Sequence, residues 1–180
     1  MKVLVVVDMQ NDFIAGSLGT PEAVAIVPNV NKKIEAAVEN GDIIIYTYDT
    51  HHKDYLETRE GQKLPVEHCI SGSDGWEIPT ELKCPGYGNY RRVAKNTFGC
   101  YNLPPMIREL TLAMLQDITE IELVGLCTDI CVVSNALLLK SYFYEECEIS
   151  VDATCCAGVT PESHEAALKT MEMCQINVKR

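Results

Sequence analysis

One cysteine of this sequence lies where a thiol could act as a nucleophile. Cys131 belongs to the segment Gly125–Val132, which has the pattern of a strand that passes into a helix. At the start of a helix the macrodipole is expected to lower a thiol's pKa toward neutrality, and free backbone N–H groups could stabilise an oxyanion. The alternative is a buried cysteine that packs the helix against a sheet, and this fragment alone favours that interpretation.

A carboxylate and an ammonium group give the thiol possible partners. Asp8 directly follows an apolar run, and Lys95 closes another. Asp8 could accept the thiol proton and return it to a leaving group, while Lys95 could hold the thiolate and the carboxylate in their charged forms. A structural ion pair at the edge of a sheet explains the two residues equally well on composition alone.

The histidines predict a metal site. Asp49 and His51 project to the same side of an extended segment, and His68 would complete a set of one carboxylate and two imidazoles that leaves coordination positions open. Solvated loop histidines are the alternative. We expect His52 not to be a metal ligand, because consecutive residues of an extended chain point to opposite faces. We expect His164, which follows Ser163 on a helix, to be an ordinary surface residue.

Short apolar runs alternate with helical patterns along the chain. The runs predict strands at 2–7, 42–48, 92–95, 121–126, 148–151 and 175–178, and the patterns predict helices at 28–40, 105–116, 129–145 and 161–174. This alternation predicts a parallel sheet with helices on both faces. Ligands of such sheets bind beyond the carboxyl ends of the strands. We therefore expect Asp8, Asp49, Lys95 and Cys127–Cys131 to converge in one cleft.

Composition limits the class of protein. The chain has 180 residues, of which 47% are apolar and 23% charged, and this excludes wholesale disorder. A net charge of −11 disfavours binding to nucleic acid or to an anionic membrane surface. No apolar run approaches the roughly 20 residues of a membrane span. No composition break divides the chain, so we predict a single domain over residues 1–180, with 50–99 as a long functional excursion.

Cysteine usage predicts a reducing compartment. The nine cysteines form no Cys-x-x-Cys pair, their number is odd, and the first apolar run ends at Asp8, too early for a signal peptide. We therefore expect free thiols and a cytoplasmic protein. No glycine-rich phosphate motif occurs, so nucleotide binding has no support.

Together these motifs resemble one family. They are Val7–Phe13, the Asp49-x-His51 step, Val66–Cys69, Ala94-Lys95-x-x-Phe98, Gly125–Val132, and the stretch from Asp152-Ala153-Thr154 to Pro161-x-x-His164. The chain resembles the isochorismatase-like cysteine hydrolases, and most closely their nicotinamidase-type amidases. The pieces span nearly the whole chain in the family's order, which makes the set far more specific than any one motif.

The resemblance implies a fold and a reaction. The fold would be a three-layer α/β/α structure with a six-stranded parallel sheet. Cys131 would attack a small carboxamide, release ammonia and leave a thioester that water then hydrolyses. Asp8 would be the general base and acid, and Lys95 would tune both charges.

The resemblance also implies several supporting features. A cis peptide would precede Cys127, and the N–H groups of Cys127 and Cys131 would form the oxyanion hole. Asp49, His51 and His68 would hold a divalent ion, commonly zinc. The side chain of Phe13 would provide an aromatic wall for a flat substrate. A homo-oligomer is expected by the same analogy.

Other readings stay open at this point. Related enzymes act on N-carbamoyl compounds or on isochorismate, although true isochorismatases generally need neither the thiol nor the metal set. A non-catalytic binding or redox protein of the same fold would lack a triad member. The substrate pocket departs from many nicotinamidases, because Leu64-Pro65 stands where an aromatic residue is common and Ile130 replaces a polar or aromatic one. Trp76 could supply the missing aromatic wall.

Overall fold

The computed structural model describes residues 1–82 and 90–180. Its six strands form one parallel sheet in the order β3-β2-β1-β4-β5-β6. The strands are β1 (Lys2–Val7), β2 (Ile43–Asp49), β3 (Tyr90–Lys95), β4 (Glu120–Leu126), β5 (Glu148–Ala157) and β6 (Asn177–Lys179). The helices are α1 (Asn11–Ile14), α2 (Pro21–Asn40), α3 (Leu103–Met114), α4 (Val133–Phe143) and α5 (Pro161–Met173). The six predicted strands are therefore all present.

Both faces of the sheet are covered. Along β1, the alternate residues Val3, Val5 and Val7 belong to a core shared with α3, α4 and α5, whereas Leu4 and Val6 belong to a second core shared with α2. This division follows from the two-residue period of a strand, because a continuous apolar run supplies apolar side chains to both faces. The predicted three-layer α/β/α arrangement is confirmed.

Several predicted helix and strand boundaries are wrong. Helix α2 begins at Pro21 rather than at Pro28: Thr20 accepts a hydrogen bond from the N–H of Ala23 (3.0 Å), and Pro28 lies inside the helix. Two prolines can each occupy a first helical position, and the capping threonine selects the earlier one. Strand β5 continues past its predicted end at Val151 to Ala157.

The predicted helix 129–145 is divided into two parts. A π-helical turn covers Thr128–Val132, and α4 continues from it. Strand β4 ends just before this turn, and the order of the sheet reverses between β1 and β4. This is the switch point at which open α/β sheets bind ligands.

Two further properties concern the whole described chain. In the described ranges no helix combines the length and the apolar character needed to cross a membrane. The eight cysteines that fall within these ranges are free thiols, as predicted, and Cys84 lies outside the described residues.

Candidate active site

The three predicted triad residues meet at the carboxyl edge of the sheet. Lys95 Nζ lies 2.6 Å from Asp8 Oδ2 and 3.4 Å from Cys131 Sγ. Asp8 follows β1, Lys95 ends β3, and Cys131 lies in the turn after β4. All three are buried, so the ammonium group joins a carboxylate and a thiol away from bulk water.

The Asp8 carboxylate is fixed by its neighbour on β2. The hydroxyl of Thr47 donates to Asp8 Oδ1 (2.6 Å), and the backbone N–H of Asp8 donates to the Thr47 carbonyl (3.2 Å). Asp8 itself has a φ of 47°, a left-handed conformation that aspartate tolerates better than most residues. This turn aims the carboxylate across the strand ends toward Lys95.

Burial controls the ionisation of the triad. It raises the pKa of Asp8, and the nearby Asp49 adds to this, while Lys95 opposes it. Burial and the Asp8 carboxylate also raise the pKa of the Cys131 thiol well above its usual range. The pKa of Lys95 is raised, because the neighbouring carboxylates and thiol outweigh its burial. The surroundings therefore favour the charged form of Lys95 and the protonated form of the Cys131 thiol.

The turn that carries Cys131 has an unusual backbone. The Leu126-Cys127 peptide is cis, as the resemblance implied. The carbonyl of Cys127 accepts from the N–H groups of Ile130 (3.1 Å) and Val132 (3.0 Å). Cys131 lies between these two donors in the π-helical turn Thr128–Val132.

Helix α5 braces this turn through side chains. Thr128 Oγ1 and His164 Nδ1 are 2.8 Å apart, and Asp129 accepts from the N–H of Val159 (3.1 Å to Oδ2) and from the hydroxyl of Ser163. The prediction that His164 is an ordinary surface residue is wrong: its ring is largely buried, and burial lowers its pKa. Its place in the motif Pro161-x-x-His164 was the available signal.

The predicted metal ligands also come together. His51 Nε2 lies 3.0 Å and His68 Nε2 lies 3.6 Å from Asp49 Oδ2, and ligand atoms from the three residues lie within 4.8 Å of one another. His68 Nδ1 is 2.8 Å from the Val66 carbonyl, which leaves Nε2 for a ligand. His52 is exposed and takes no part in this set, as expected.

The donor set fits a divalent transition metal. One carboxylate and two imidazoles match the ligands that such ions take in proteins, and all three side chains are buried at one point. Although burial opposes it, the hydrogen bonds from His51 and His68 hold the pKa of Asp49 below its usual range. The carboxylate is therefore already charged.

One residue near this set was missed by the sequence analysis. Glu60 Oε1 lies 3.8 Å from His51 Nε2 and 3.9 Å from His68 Nε2. Its segment carries no recognisable ligand spacing, and it reaches the histidines only through the path of the long excursion after β2. A fourth donor, the second carboxylate, therefore faces the same point.

A second residue that the sequence analysis left unassigned supports Asp49. The buried side chain of Gln10 accepts from the N–H of Asp49 (2.8 Å) and donates to the carbonyls of Asp49 (2.9 Å) and Trp76 (2.8 Å). The Trp76 indole packs on Tyr48 and donates to Thr50 Oγ1 (2.9 Å). Trp76 does not line the cavity above Cys131, so it does not replace the aromatic wall that many nicotinamidases have.

A cavity of about 630 Å³ opens above the triad and the metal set. Phe13, Asp49, His68, Cys127 and Cys131 line it. Its apolar lining also includes Leu18, Phe98, Val159 and the two positions that depart from many nicotinamidases, Leu64 and Ile130. Its charged and polar lining includes Arg59, Glu60, Lys63, Asn96 and Thr97. Catalytic, metal-ligating and apolar groups thus share one space.

Comparison with known proteins identifies the family. The sequence model of the isochorismatase domain matches residues 2–179. The chain belongs to the isochorismatase family. It is 26% identical to a nicotinamidase of Schizosaccharomyces pombe, over 97% of this chain and 91% of that protein. It is also 26% identical to an Arabidopsis thaliana protein named "Probable inactive nicotinamidase", over 98% of this chain and 89% of that one.

Solved structures agree with this family. A nicotinamidase/pyrazinamidase from Bacillus subtilis superposes with a TM-score of 0.83 at 28% identity, covering 99% of each chain. The pyrazinamidase of Pyrococcus horikoshii, in complex with zinc, gives 0.80 at 26% identity, covering 99% and 98%. The resemblance to nicotinamidase-type hydrolases is confirmed, and with it the prediction of a hydrolase that acts on amide C–N bonds.

Proposed function

We propose that this protein is a cysteine amidohydrolase that converts nicotinamide, or a related small carboxamide, to the carboxylate and ammonia. The observation that carries the proposal is the position of Lys95 Nζ, which contacts both the Asp8 carboxylate and Cys131 Sγ at a cavity wall. Nucleophilic attack of a thiol on an amide requires a nearby proton acceptor and benefits from a fixed positive charge, and here the ammonium group of Lys95 contacts both the carboxylate and the thiol.

The first half of the reaction forms a thioester. Asp8 accepts the proton of the Cys131 thiol as Sγ attacks the carbonyl carbon. The N–H groups of Cys127 and Cys131 then stabilise the oxyanion of the tetrahedral intermediate. Asp8 returns the proton to the departing nitrogen, the C–N bond breaks, and ammonia leaves.

The second half restores the enzyme. Asp8 takes a proton from a water molecule, whose oxygen attacks the thioester carbon. The C–S bond breaks, the proton returns to the Cys131 sulfur, and the carboxylic acid leaves. Lys95 keeps its charge throughout and stabilises whichever of Asp8 and Cys131 is anionic.

We include a divalent metal ion, zinc, in the proposal. Asp49, His51 and His68 would hold it, with Glu60 close enough to add an oxygen donor. When bound, the ion supplies a positive charge that orients a ring nitrogen of the substrate or a water molecule. Gln10 and the Val66 carbonyl would keep two of its ligands in place.

The remaining predictions belong to the same proposal. We expect one domain over residues 1–180, a cytoplasmic location and a homo-oligomer. Leu112, Leu115 and Tyr144 are exposed apolar side chains near the ends of α3 and α4, and such surface is typical of subunit contacts. Light scattering of the purified protein measures the number of subunits.

Ammonia release from nicotinamide tests the proposed activity. Cys131→Ala is expected to abolish it, whereas Cys174→Ala, which removes an exposed thiol, keeps it. Mass spectrometry of acid-quenched enzyme should detect an acyl adduct on the wild type and none on Cys131→Ala. Full activity of Cys131→Ala would contradict the assignment of the nucleophile.

A further inference from the structure

The cavity changes in character from its floor to its rim. Cys131, Asp49 and His68 are at most 5% exposed and form the floor, where the chemistry takes place. Leu64, Phe98 and Val159 are 38%, 50% and 53% exposed and line the same cavity toward solvent. The exposed polar residues of this rim are Arg59, Lys63, Asn96 and Thr97. A substrate whose carbonyl carbon reaches Cys131 can therefore contact three apolar side chains as it extends outward.

The volume of the cavity is larger than a single aromatic ring requires. Its volume of about 630 Å³ lies within the range of roughly 300–1,000 Å³ that is typical of pockets for drug-sized ligands. Nicotinamide, a single substituted ring, is smaller than such ligands. With nicotinamide bound at the floor, the three rim side chains would stay in contact with water.

Exposed apolar side chains that are grouped around one cavity indicate the chemical character of the ligand that binds there. Single exposed hydrophobic residues need no explanation, but a group at the mouth of a binding site marks a surface that is covered on binding. Ile130 and Leu18 continue the apolar wall between rim and floor. Burying this wall against an apolar group is favourable in proportion to the area removed from water.

We propose that the preferred substrates are primary carboxamides whose acyl group is apolar and longer than the pyridine ring of nicotinamide. The inference rests on the proposed function and specifies its substrate class. The carboxamide binds at Cys131, and the acyl group runs past Ile130 to the rim formed by Leu64, Phe98 and Val159. These four side chains determine specificity and take no part in bond making.

The test is a series of straight-chain amides. Ammonia release is measured from butanamide, hexanamide, octanamide and nicotinamide. The expected result is a rise in kcat/KM of about fourfold for each added methylene, the value for full burial, with octanamide above nicotinamide. A kcat/KM that is flat or falls with chain length would overturn the inference.

A rim variant tests where the acyl group lies. Val159→Trp fills the rim and is expected to lower the ratio of kcat/KM for octanamide over butanamide about tenfold or more. The matched control is Val38→Trp, because Val38 is an equally exposed valine on α2 that does not line the cavity. An unchanged ratio in Val159→Trp would also overturn the inference.

Failure of the inference differs from failure of the proposed function. If nicotinamide is hydrolysed and Cys131→Ala abolishes the reaction, the amidase proposal stands even when octanamide is a poor substrate. If no amide in the series releases ammonia, both proposals are overturned.

Discussion

At the scale of single residues, the site depends on charges held away from water. The expectation that a helix start would lower the pKa of Cys131 is wrong, because burial and the Asp8 carboxylate outweigh the favourable Lys95 charge. The same burial raises the pKa of Asp8. The raised pKa of Asp8 makes its carboxylate a stronger proton acceptor, whereas the raised pKa of Cys131 makes its thiol a weaker proton donor, so the two shifts oppose each other.

The pH dependence of the reaction follows from Asp8. Its carboxylate must be ionised to accept the thiol proton, and its pKa is raised above the usual value of about 3.9. Activity is therefore expected to fall as the pH decreases through this raised pKa. The acid limb of a kcat/KM profile on nicotinamide locates it. An acid limb at or below pH 3.9 would contradict the assignment of Asp8 as the base.

Glu60 is expected to strengthen metal binding. Its carboxylate faces both histidines, so Glu60→Gln removes a negative charge from the donor set and should weaken zinc binding about tenfold or more. Glu57→Gln, an exposed change in the preceding turn, is the control. Calorimetric titration of metal-free protein with zinc compares the two variants. Equal affinities would exclude a role for Glu60.

At the scale of elements, the turn that carries Cys131 is fixed at both ends. Helix α5 braces it through the contacts of His164 with Thr128 and of Ser163 with Asp129. At its other end, β4 passes so close to β1 that Gly125 adopts a φ of 116° with no room for a side chain. The position of the nucleophile is therefore determined by two elements that are distant in sequence.

Replacement of Gly125 tests this close approach. A Cβ there would lie 2.2 Å from the Val7 carbonyl oxygen, so Gly125→Ala must separate the strands beside Asp8. We expect a loss of about 3 kcal/mol or more in unfolding free energy. Gly41→Ala is the control: its φ is also positive, but nothing lies within 4 Å, and about 1 kcal/mol is expected. Urea denaturation measures both.

At the scale of the whole molecule, the acidic surface is balanced locally by ion pairs at the amino ends of the strands. Glu120 and Glu122 on β4 are buried and pair with lysines from three other elements. Lys2 belongs to β1, Lys33 to α2 and Lys179 to β6. These contacts attach the last strand to the centre of the sheet, on the opposite edge from the catalytic cavity.

The stability of the molecule is expected to depend on Glu120 in acid. Although burial opposes it, hydrogen bonds from Lys179, Lys2 and Ser150 lower the pKa of Glu120 to about 2. A lowered folded-state pKa stabilises the fold at pH values above the usual pKa of about 4.3, and this contribution is lost as the pH falls toward 2.

The corresponding variant is Glu120→Gln. It should be less stable than the wild type at pH 7, and its unfolding midpoint should decline less between pH 5 and pH 2. Glu39→Gln, an exposed change on α2, should follow the wild type. Urea midpoints across this range provide the measurement, and parallel curves for Glu120→Gln and the wild type would refute the prediction.

The sequence by itself determined the local and periodic features. An apolar, β-branched run such as β1 is typical of a strand buried on both faces, so the parallel sheet and the convergence of Asp8, Asp49, Lys95 and Cys131 could be predicted from the strands and the polar residues that follow them. The spacing of Asp49, His51 and His68 indicated a metal site, and the family motifs supported it and added the cis peptide at Cys127. Each contributing segment could be recognised locally, although the segments lie far apart in the chain.

The tertiary structure decided what depends on distant segments. The approach of Glu60 to His51 and His68 depends on how the segment after β2 folds back on itself. The contact of His164 with Thr128 joins residues 36 positions apart. No periodicity of the sequence encodes either contact. The sequence predicted a lowered pKa for Cys131, whereas the structure raises it, because the burial of the thiol depends on how distant segments pack.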